Sequence, residues 1–396
     1  MIQETSNTAQ AALGVTPLHA PEIRGNEWKY VKECLDTGWV SSVGPYVDLF
    51  ERKVAEYVNT GFAVATVNGT AALHMALLVA GVLPDEEVLV STLTFIAPAN
   101  AIRYVGAWPV FIDADPAYWQ MDVERVLDFL ERRCEWRNGE LRNKATKRRI
   151  KAILPVHILG HPVDLDPILE VARKYNLIVI EDATESLGAK YKNRMVGNLA
   201  DIACFSFNGN KIITTGGGGM IVTNNEEWAR KAKYLTTQAK DNPLEYVHAN
   251  MGYNYRLTNL LAAVGCAQME QLPGYVAAKR RIASAYSRGI VGIPGIVPMR
   301  EATWAYSTFW LFTILIDSQL FGMDSRSLLQ RFEHSKMQTR PLWQPMHRSK
   351  VFANCGPFDC PVADRLNRDA LSIPCSVGIL DEELQAVLGI LNSQHA

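Results

Sequence analysis

Short apolar runs alternate with helical patterns along the chain from about residue 60. The apolar runs are rich in β-branched residues and include FAVATV, EEVLVS, NLIVIEDA and DIACFSF. The helical patterns include TAALHMALLVAG and LDPILEVARKY. This alternation predicts an α/β domain with a mostly parallel sheet that is buried on both faces. Because ligands of such sheets bind at the carboxyl ends of the strands, the polar residues that follow the strands are the candidates for a functional site.

The pattern changes after a long helical stretch that starts near YNYRLTNLL and continues through Pro273. Beyond it, the strand pattern WLFTILID is mixed with the helical patterns SRSLLQRFEHS and EELQAVLGILNS, which indicates a second, smaller α+β domain. We therefore predict a large domain with an N-terminal arm over residues 1–265 and a small C-terminal domain over residues 266–396.

The nearly equal numbers of basic and acidic residues exclude a strong electrostatic field of one sign over the whole protein. The chain has 40 basic and 41 acidic residues, a formal net charge of −1, so a local site must hold any anionic ligand. The basic cluster RNKATKRR (142–149) is more typical of a solvated surface insertion than of a nucleic-acid patch. Seven scattered cysteines without a CxxC pair suit a reducing compartment. No signal peptide and no apolar stretch of about 18 residues is apparent, so we expect a cytoplasmic protein that binds neither membrane nor nucleic acid.

An acid and a lysine follow two of the predicted strands. Asp182 ends the strand in NLIVIED, where a buried carboxylate needs a cationic partner, although an isolated Asp here is equally typical of a helix cap. Lys211 lies in SFNGNKIITTGGGG, just after the strand that ends at Ser206. A lysine in this setting holds a phosphate, bonds covalently to a cofactor or caps a loop. A Walker loop is excluded, because its glycines precede the lysine and these follow it.

Two further strand ends carry candidate ligand groups. Asn68, Gly69 and Thr70 occupy a strand-to-helix junction, where backbone N–H groups and the helix dipole favour a phosphate. Many such turns bind nothing. Phe95 also follows a strand and could stack on a planar ring, although a lone Phe more often packs in a core.

Taken together, a phosphate cradle, a carboxylate, an aromatic plate and a lysine suit pyridoxal 5′-phosphate. This cofactor needs a lysine for its Schiff base, an acid beside its pyridine nitrogen and an anchor for its phosphate. In this interpretation Asp182 keeps the ring nitrogen protonated, and Lys211, once substrate has replaced it, is the base that carries the proton.

Four segments resemble, in order, the signatures of the DegT/DnrJ/EryC1/StrS family, the nucleotide-sugar aminotransferases of fold type I: NGTAALHMAL, EDATESLGAKY, FSFNGNK with TTGGGGM, and GYNYRLTNLLAAVG. The resemblance covers roughly residues 16–350. It implies the aspartate aminotransferase-like fold, with a large sheet domain and a smaller α+β domain. It also implies pyridoxal phosphate as cofactor, Lys211 as the Schiff-base lysine and Asp182 as the partner of the ring nitrogen.

The same resemblance assigns the other cofactor contacts. Gly69, Thr70 and Ser206 would hold the phosphate, and Phe95 would stack on the ring. Asn254 would reach the phosphate of the partner subunit, which implies a homodimer with shared active sites. Glu185 occupies a position near the phenolic oxygen where many members have Gln or His, and is a departure from the family pattern.

Within the family, residues 25–51 and the segment TRPLWQPMH look most like the branch that makes 4-amino sugars of the legionaminic or bacillosamine type. That branch transfers the amino group of L-glutamate to C4 of a UDP-2-acetamido-2,6-dideoxy-hexos-4-ulose. The residues expected to line the sugar-nucleotide site are then Trp39, Ser42, Gly44, Arg340 and His347. The segment WAYSTFW (304–310) departs from the Asn/His-containing pattern expected there.

Several alternatives stay open at this stage. The substrate could be a GDP- or dTDP-keto-deoxysugar of the perosamine type. The chain could also be a sugar dehydratase of the same family, although the deoxysugar lyases replace the Schiff-base lysine with histidine, or a non-catalytic relative. His157 and His161 in HILGH have a metal-ligand spacing, but the proline that follows them and the lack of a clear third ligand disfavour a metal site. His157, at a strand end, is instead a candidate to support Asp182.

Overall fold

A computed structural model describes residues 14–242, 244–356 and 358–393. The strands of this part of the chain are β1 Phe62–Thr66, β2 Glu87–Ser91, β3 Trp108–Ile112, β4 Cys134–Arg137, β5 Glu140–Asn143, β6 Ile150–Leu154, β7 Ile178–Asp182, β8 Lys190–Tyr191, β9 Arg194–Met195, β10 Ile202–Ser206, β11 Gly219–Thr223, β12 Ile296–Pro298, β13 Ala305–Tyr306, β14 Phe312–Ile316, β15 Arg340–Pro341 and β16 Ala370–Ile373.

The α-helices of the same residues are α1 Glu27–Thr37, α2 Pro45–Val58, α3 Gly69–Val79, α4 Ala97–Tyr104, α5 Val123–Asp128, α6 Leu165–Tyr175, α7 Glu226–Thr236, α8 Asn259–Ile290, α9 Ser318–Phe321, α10 Ser325–His334, α11 Pro361–Asp369 and α12 Asp381–Asn392. A π-helical turn, Phe129–Arg133, extends α5, and 3₁₀ turns lie at Ile158–Gly160, Met346–Arg348 and Lys350–Cys355.

The largest sheet of the described residues has seven strands in the order β1-β11-β10-β7-β6-β2-β3. Neighbouring pairs are parallel except at β11, which is antiparallel to both β1 and β10. Strands β2 and β11 are buried along their whole length, as expected for a sheet covered on both faces. The predicted α/β class with a mostly parallel sheet is confirmed.

The reversal of β11 determines where Lys211 lies. The carboxyl ends of the parallel strands meet at one edge of the sheet, and β10 ends there at Ser206. Because β11 runs back from the same edge, residues 207–218 form a loop that stays at that edge. Lys211 is therefore at the edge where ligands of parallel sheets bind.

Helix α3 begins at the same edge, directly after β1. Its N-cap is Asn68, whose side-chain oxygen accepts a hydrogen bond of 2.8 Å from the backbone N–H of Ala71. Most of the helix is buried, because its sequence GTAALHMALLV is apolar nearly all round. A helix enclosed in this way is held rigidly by the core on every side.

A second sheet, with strand order β12-β14-β16-β15, is formed by residues from Ile296 onward. Helix α8 connects the two sheets as one continuous element with Pro273 inside it, so the predicted boundary between residues 265 and 266 falls within a helix. The boundary was predicted from a change in the sequence pattern along the chain. The helix itself continues without a break through residues 265 and 266. The division into two domains stays a prediction.

The basic cluster at 142–149 lies at the end of the β4–β5 hairpin, beside acidic side chains. Ion pairs join Arg142 to Glu140 and Arg149 to Glu86. This pairing fits the predicted surface insertion. Within the described residues no helix is long and apolar enough to cross a membrane.

Candidate active site

A cavity of about 390 Å³ lies at the carboxyl edge of the seven-stranded sheet. The residues predicted to bind the cofactor line it with one exception, Asn254; those that do are Gly69, Thr70, Phe95, Asp182, Glu185, Ser206 and Lys211. These residues come from four separate segments of the chain. The strand-end rule therefore selected side chains that the fold brings together.

The start of α3 and the end of β10 form a narrow cradle. The first N–H groups of a helix have no partner within it, so those of Gly69 and Thr70 are available to an anion. A Cβ atom added to Gly69 would lie 2.9 Å from Cβ of Ser206 and 3.2 Å from its hydroxyl oxygen. Glycine is therefore required at residue 69, and the Ser206 hydroxyl lies next to the helix N-terminus.

Asp182 is only 2% exposed and lies at the end of β7. Its Oδ1 accepts a hydrogen bond of 3.1 Å from the backbone N–H of Thr184. Burial raises the pKa of the Asp182 carboxyl, while the hydrogen bonds from Thr184 and the positive charge of Lys211 act in the opposite direction. A carboxylate buried in this way gains most from a cation placed directly against it.

The loop after β10 carries Lys211, whose backbone N–H donates to the carbonyl of Asn208. The lysine Nζ lies 3.6 Å from Oε1 of Glu185 and 4.1 Å from the centre of the Trp310 ring. Its side chain is 13% exposed. The amine is thus accessible from the cavity and has an anion and an aromatic face beside it.

Glu185 is buried, and the Leu159 N–H donates a 2.8 Å hydrogen bond to its Oε2. Burial raises the pKa of the Glu185 carboxyl, and the charge of Lys211 acts against this. Leu159 has a left-handed backbone with φ of 60° in the turn Ile158–Gly160. The HILGH motif therefore shapes the turn that orients Glu185.

Two tryptophans that sequence reasoning did not select complete the cavity. Trp310 is 3% exposed, and its Nε1–H donates to the carbonyl of Asn210 at 2.6 Å. Trp343 lines the same cavity from the segment TRPLWQPMH. Trp310 belongs to the segment WAYSTFW and Trp343 to TRPLWQPMH. The sequence around an isolated Trp does not distinguish a position in a cavity wall from a position in the core.

The residues predicted for the sugar nucleotide do not line this cavity, and neither does Asn254. These residues are Trp39, Ser42, Gly44, Arg340 and His347. Arg340 is exposed, at one end of a separate groove next to Lys336 and Thr339. The Nδ1 of His347 lies 2.8 Å from Oγ1 of Thr92, which does not line the cavity either. A single chain thus brings together the predicted cofactor site but not the predicted substrate site.

Asn259, which the sequence did not single out, holds the segment that contains Trp39, Ser42 and Gly44. The side chain of buried Asn259 accepts from the Tyr46 N–H and donates to the Trp39 carbonyl. A Cβ atom on Gly44 would overlap the Asn259 side chain. Position 259 opens a long helix, and only the folded loop gives its amide these partners.

His157 supports Asp182 differently from the expectation. Its Nε2 lies 3.1 Å from Oε2 of Glu181, and its Nδ1 accepts from the Val163 N–H. The contact to Asp182 is made by the backbone, where the His157 N–H donates to the Asp182 carbonyl. The side chain bonds Glu181 because successive residues of a strand point to opposite faces. In the described part of the chain no group of His, Cys, Asp and Glu residues could hold a metal ion.

These residues fit pyridoxal phosphate. Asp182 offers a buried carboxylate to a protonated ring nitrogen. The cradle at Gly69 has no room for a Cβ atom but has donors for a phosphate. Phe95 is 57% exposed at the cavity mouth, so its ring has a free face for stacking. Lys211 presents its amine between these groups.

Comparison with known proteins agrees with this chemistry. The model of the DegT/DnrJ/EryC1/StrS aminotransferase family matches residues 21–392. The chain is 37% identical to the GDP-perosamine synthase of Caulobacter vibrioides, over 94% of this chain and 96% of that protein. It is 32% identical to the UDP-N-acetyl-3-dehydro-alpha-D-glucosamine 3-aminotransferase of Acidithiobacillus ferrooxidans, over 86% of each. The structure is similar to that of the aminotransferase TlmJ from Streptoalloteichus hindustanus, with a TM-score of 0.86 and 25% identity over 95% of this chain and 98% of that one.

The matched family model spans nearly the whole chain and therefore includes both the cavity and the second sheet. The fold is fold type I, as predicted. The chain belongs to the DegT/DnrJ/EryC1/StrS family and is a nucleotide-sugar aminotransferase that depends on pyridoxal phosphate.

Proposed function

We propose that the enzyme transfers the amino group of L-glutamate to C4 of a UDP-2-acetamido-2,6-dideoxy-hexos-4-ulose. The product would be a UDP-4-amino-4,6-dideoxy-N-acetylhexosamine, a precursor for surface glycans or nonulosonic acids. The observation that carries the aminotransferase part is the approach of Lys211, Asp182 and the Gly69–Ser206 cradle around one cavity. The substrate part rests on the resemblance of residues 25–51 and of TRPLWQPMH to the 4-amino-sugar branch.

The residues of this chain divide the work of the reaction. Bound pyridoxal phosphate supplies the electron sink through which an amino group passes from donor to acceptor. Asp182 holds a proton on the ring nitrogen, and burial strengthens this interaction because little water competes for the carboxylate. Gly69, Thr70 and Ser206 fix the phosphate, and the Phe95 ring orients the cofactor plane. The Nζ of Lys211 moves the proton at the substrate carbon.

A second acceptor class has a specific observation in its favour. The Caulobacter vibrioides relative is named a GDP-perosamine synthase and covers almost the full length of this chain. The relative from Acidithiobacillus ferrooxidans is named for a UDP-linked substrate. The nucleotide therefore varies among proteins similar to this one, and a GDP- or dTDP-linked keto-deoxysugar is the alternative acceptor.

We also propose that the active enzyme is a homodimer. Asn254, Trp39 and Ser42 do not line the cavity of their own chain, as expected if they serve the site of a partner subunit. Two large apolar side chains, Trp28 and Met251, are exposed and would be covered if they lie at the dimer interface. The cysteines are all free, which supports the proposal that the protein works in the cytoplasm.

A substrate panel tests the proposed function. The purified enzyme with pyridoxal phosphate and L-glutamate would be given UDP-, GDP- and dTDP-linked 4-keto sugars, and the products would be identified by NMR. We expect the fastest amination with the UDP-linked 2-acetamido sugar, at C4. Amination at C3, or a clear preference for a GDP- or dTDP-sugar, would overturn the proposed substrate. Formation of 2-oxoglutarate distinguishes transamination from a dehydratase reaction, and its absence with every sugar would contradict the aminotransferase activity itself.

A further inference from the structure

The free Lys211 side chain has two partners in the cavity, which approach it from different parts of the chain. Its Nζ is 3.6 Å from a Glu185 carboxylate oxygen and 4.1 Å from the centre of the Trp310 ring. A carboxylate and the face of an indole ring both attract an ammonium group more than a neutral amine. With only 13% of the lysine side chain exposed, water contributes little to its solvation.

Glu185 is held in place independently of the lysine. One carboxylate oxygen accepts the N–H of Leu159 at 2.8 Å, which leaves the other to face Lys211. Leu159 donates from a left-handed backbone conformation that is stabilised by its surroundings, since the carbonyl of the next residue, Gly160, accepts from the Thr308 N–H at 3.0 Å.

Trp310 is fixed by the same turn. Its indole N–H donates to the carbonyl of Asn210, the residue before the lysine. A Cβ atom on Gly160 would lie 2.7 Å from the backbone nitrogen of Trp310, so the turn and the tryptophan segment are in direct contact. Glu185 and Trp310 are thus linked through Leu159 and Gly160, and their separation is set by the fold before any ligand arrives.

The reaction requires two states of this lysine. Bound pyridoxal phosphate would take up the Lys211 amine as its attachment point, with loss of one water molecule, so the amine would not be free. Pyridoxamine phosphate already carries the amino group and has no aldehyde, so Lys211 is free. An ammonium group on a side chain that is only 13% exposed needs partners from the protein. Glu185 and Trp310 are the partners that Lys211 has in this structure.

We propose that Glu185 and Trp310 form a rest site for the free Lys211 side chain, and that they stabilise the pyridoxamine phosphate form of the enzyme relative to the pyridoxal phosphate form. Both are positioning residues that act through the lysine. The proposal rests on the cofactor and does not depend on which nucleotide sugar is the substrate.

The experiment compares the affinities of the apoenzyme for the two cofactor forms. The dissociation constants of pyridoxamine phosphate and pyridoxal phosphate would be measured by calorimetry for the parent, Glu185→Gln and Trp310→Leu. We expect the affinity for pyridoxal phosphate to rise about tenfold in Glu185→Gln and about threefold to tenfold in Trp310→Leu, because its binding removes Lys211 from the two contacts that it makes in the apoenzyme. The affinity for pyridoxamine phosphate should change less, because Lys211 is free both before and after it binds, so that the ratio of the two constants changes.

The ratio distinguishes the rest site from a direct contact with the cofactor. Both cofactor forms carry the same ring, phenolic oxygen and phosphate, so a contact with these groups would weaken both affinities equally and leave the ratio unchanged. That result would overturn the proposal. Trp343→Leu is the matched control, because Trp343 lines the same cavity and no ring contact joins it to Lys211 among the described residues. Its ratio should equal that of the parent.

A double-mutant cycle completes the test. In a Lys211→Ala background, Glu185→Gln should no longer change the ratio, because the group that it stabilises is absent. A change that persists without the lysine would contradict the proposal. Glu185→Asp and Trp310→Phe, which keep the charge or a ring, should give smaller changes than the first pair. They provide the same comparison if either of the first variants fails to fold, as judged by circular dichroism.

Discussion

Asp182, Ser206 and Lys211 reach the cavity directly from strands of the seven-stranded sheet, whereas Trp310 and Trp343 reach it from the chain beyond α8. We call these the sheet side and the C-terminal side. On the sheet side, each residue is positioned by the strand just before it. On the C-terminal side, position depends on docking between distant segments, such as that between Gly160 and residues 307–310.

The two sides contribute different groups to the cavity. The sheet side holds the acid, the lysine and the phosphate cradle, which every reaction of this cofactor needs. The C-terminal side contributes aromatic faces and, through the turn at Gly160, the orientation of Glu185. We therefore expect substitutions on the sheet side to abolish turnover. Substitutions on the C-terminal side should reduce turnover without abolishing it.

The largest effect is expected for Lys211→Ala. The variant loses both the attachment point of the cofactor and the group that moves the proton, a role that alone contributes about 10²–10⁴-fold to rates. Transamination should fall to background, while circular dichroism and the melting temperature stay close to those of the parent, because the side chain lies at a cavity rather than in the core. Multiple turnover by this variant would show that the lysine has been misassigned.

Asp182→Asn should rank second, with a loss in kcat on the order of 10²-fold or more, since neutral Asn cannot hold the ring nitrogen protonated. The stability of the apoenzyme should move the other way. Burial raises the pKa of Asp182 in the folded state, so the contribution of this carboxyl to stability falls as pH rises from its ordinary pKa through the raised one.

At neutral pH the Asn variant escapes this cost, and its apoenzyme should melt at or above the temperature of the parent. Calorimetry of both apoproteins between pH 4 and pH 8 checks the sign. Near-normal turnover, or a clearly less stable apoprotein at neutral pH, would mean that the carboxylate has a structural role instead.

Gly160→Ala tests the C-terminal side. Gly160 has φ of 88°, and an added Cβ atom would approach the Thr308 hydroxyl and the backbone nitrogen of Trp310. We expect a loss of about 1–3 kcal/mol in the free energy of unfolding, together with a changed tryptophan fluorescence and reduced turnover. Gly274→Ala is the control, because that position lies in α8 with open space around it and should be neutral or slightly stabilising. Equal melting temperatures for the two variants would contradict the importance of this docking.

The smallest effect is expected for Arg340→Ala. If Arg340 binds the diphosphate in the dimer, its removal should raise KM for the nucleotide sugar about tenfold and leave the half-reaction with glutamate unchanged. Both substrate and transition state lose the same contact, so kcat should change less. Steady-state kinetics with each substrate varied in turn provides the measurement. Equal losses in the glutamate half-reaction would place the arginine at the donor carboxylate.

The same contrast explains which parts of the molecule could be predicted. Asp182 and Ser206 were predictable because a parallel strand places the residue at its end at the ligand edge, and strands can be recognised from a few consecutive residues. Helix α8 was predicted to continue through Pro273, and it does. The phosphate cradle followed from a strand-to-helix junction, which is also local.

The other features depend on contacts between residues far apart in sequence. The role of Trp310 needs the Gly160 turn, and that of Asn259 needs the loop that ends at Gly44. The partner of the His157 side chain was not predictable, because the sequence does not say which of two adjacent acids on a strand faces it. The residues predicted to bind the sugar nucleotide do not line the cavity of their own chain, and their role stays a prediction.

Helix α8 has a mechanical consequence for the motion of the enzyme. It starts at Asn259, which fixes the loop near Trp39, and its last turn packs against Leu388 of α12. It therefore links these two regions through a single helix that is about 48 Å long at 1.5 Å per residue. If the second sheet moves relative to the first, this helix must bend, and the easiest point is Pro273, which leaves the Met269 carbonyl without its helical hydrogen bond. Amide hydrogen exchange should be fastest within α8 around this point, and cofactor binding should slow it.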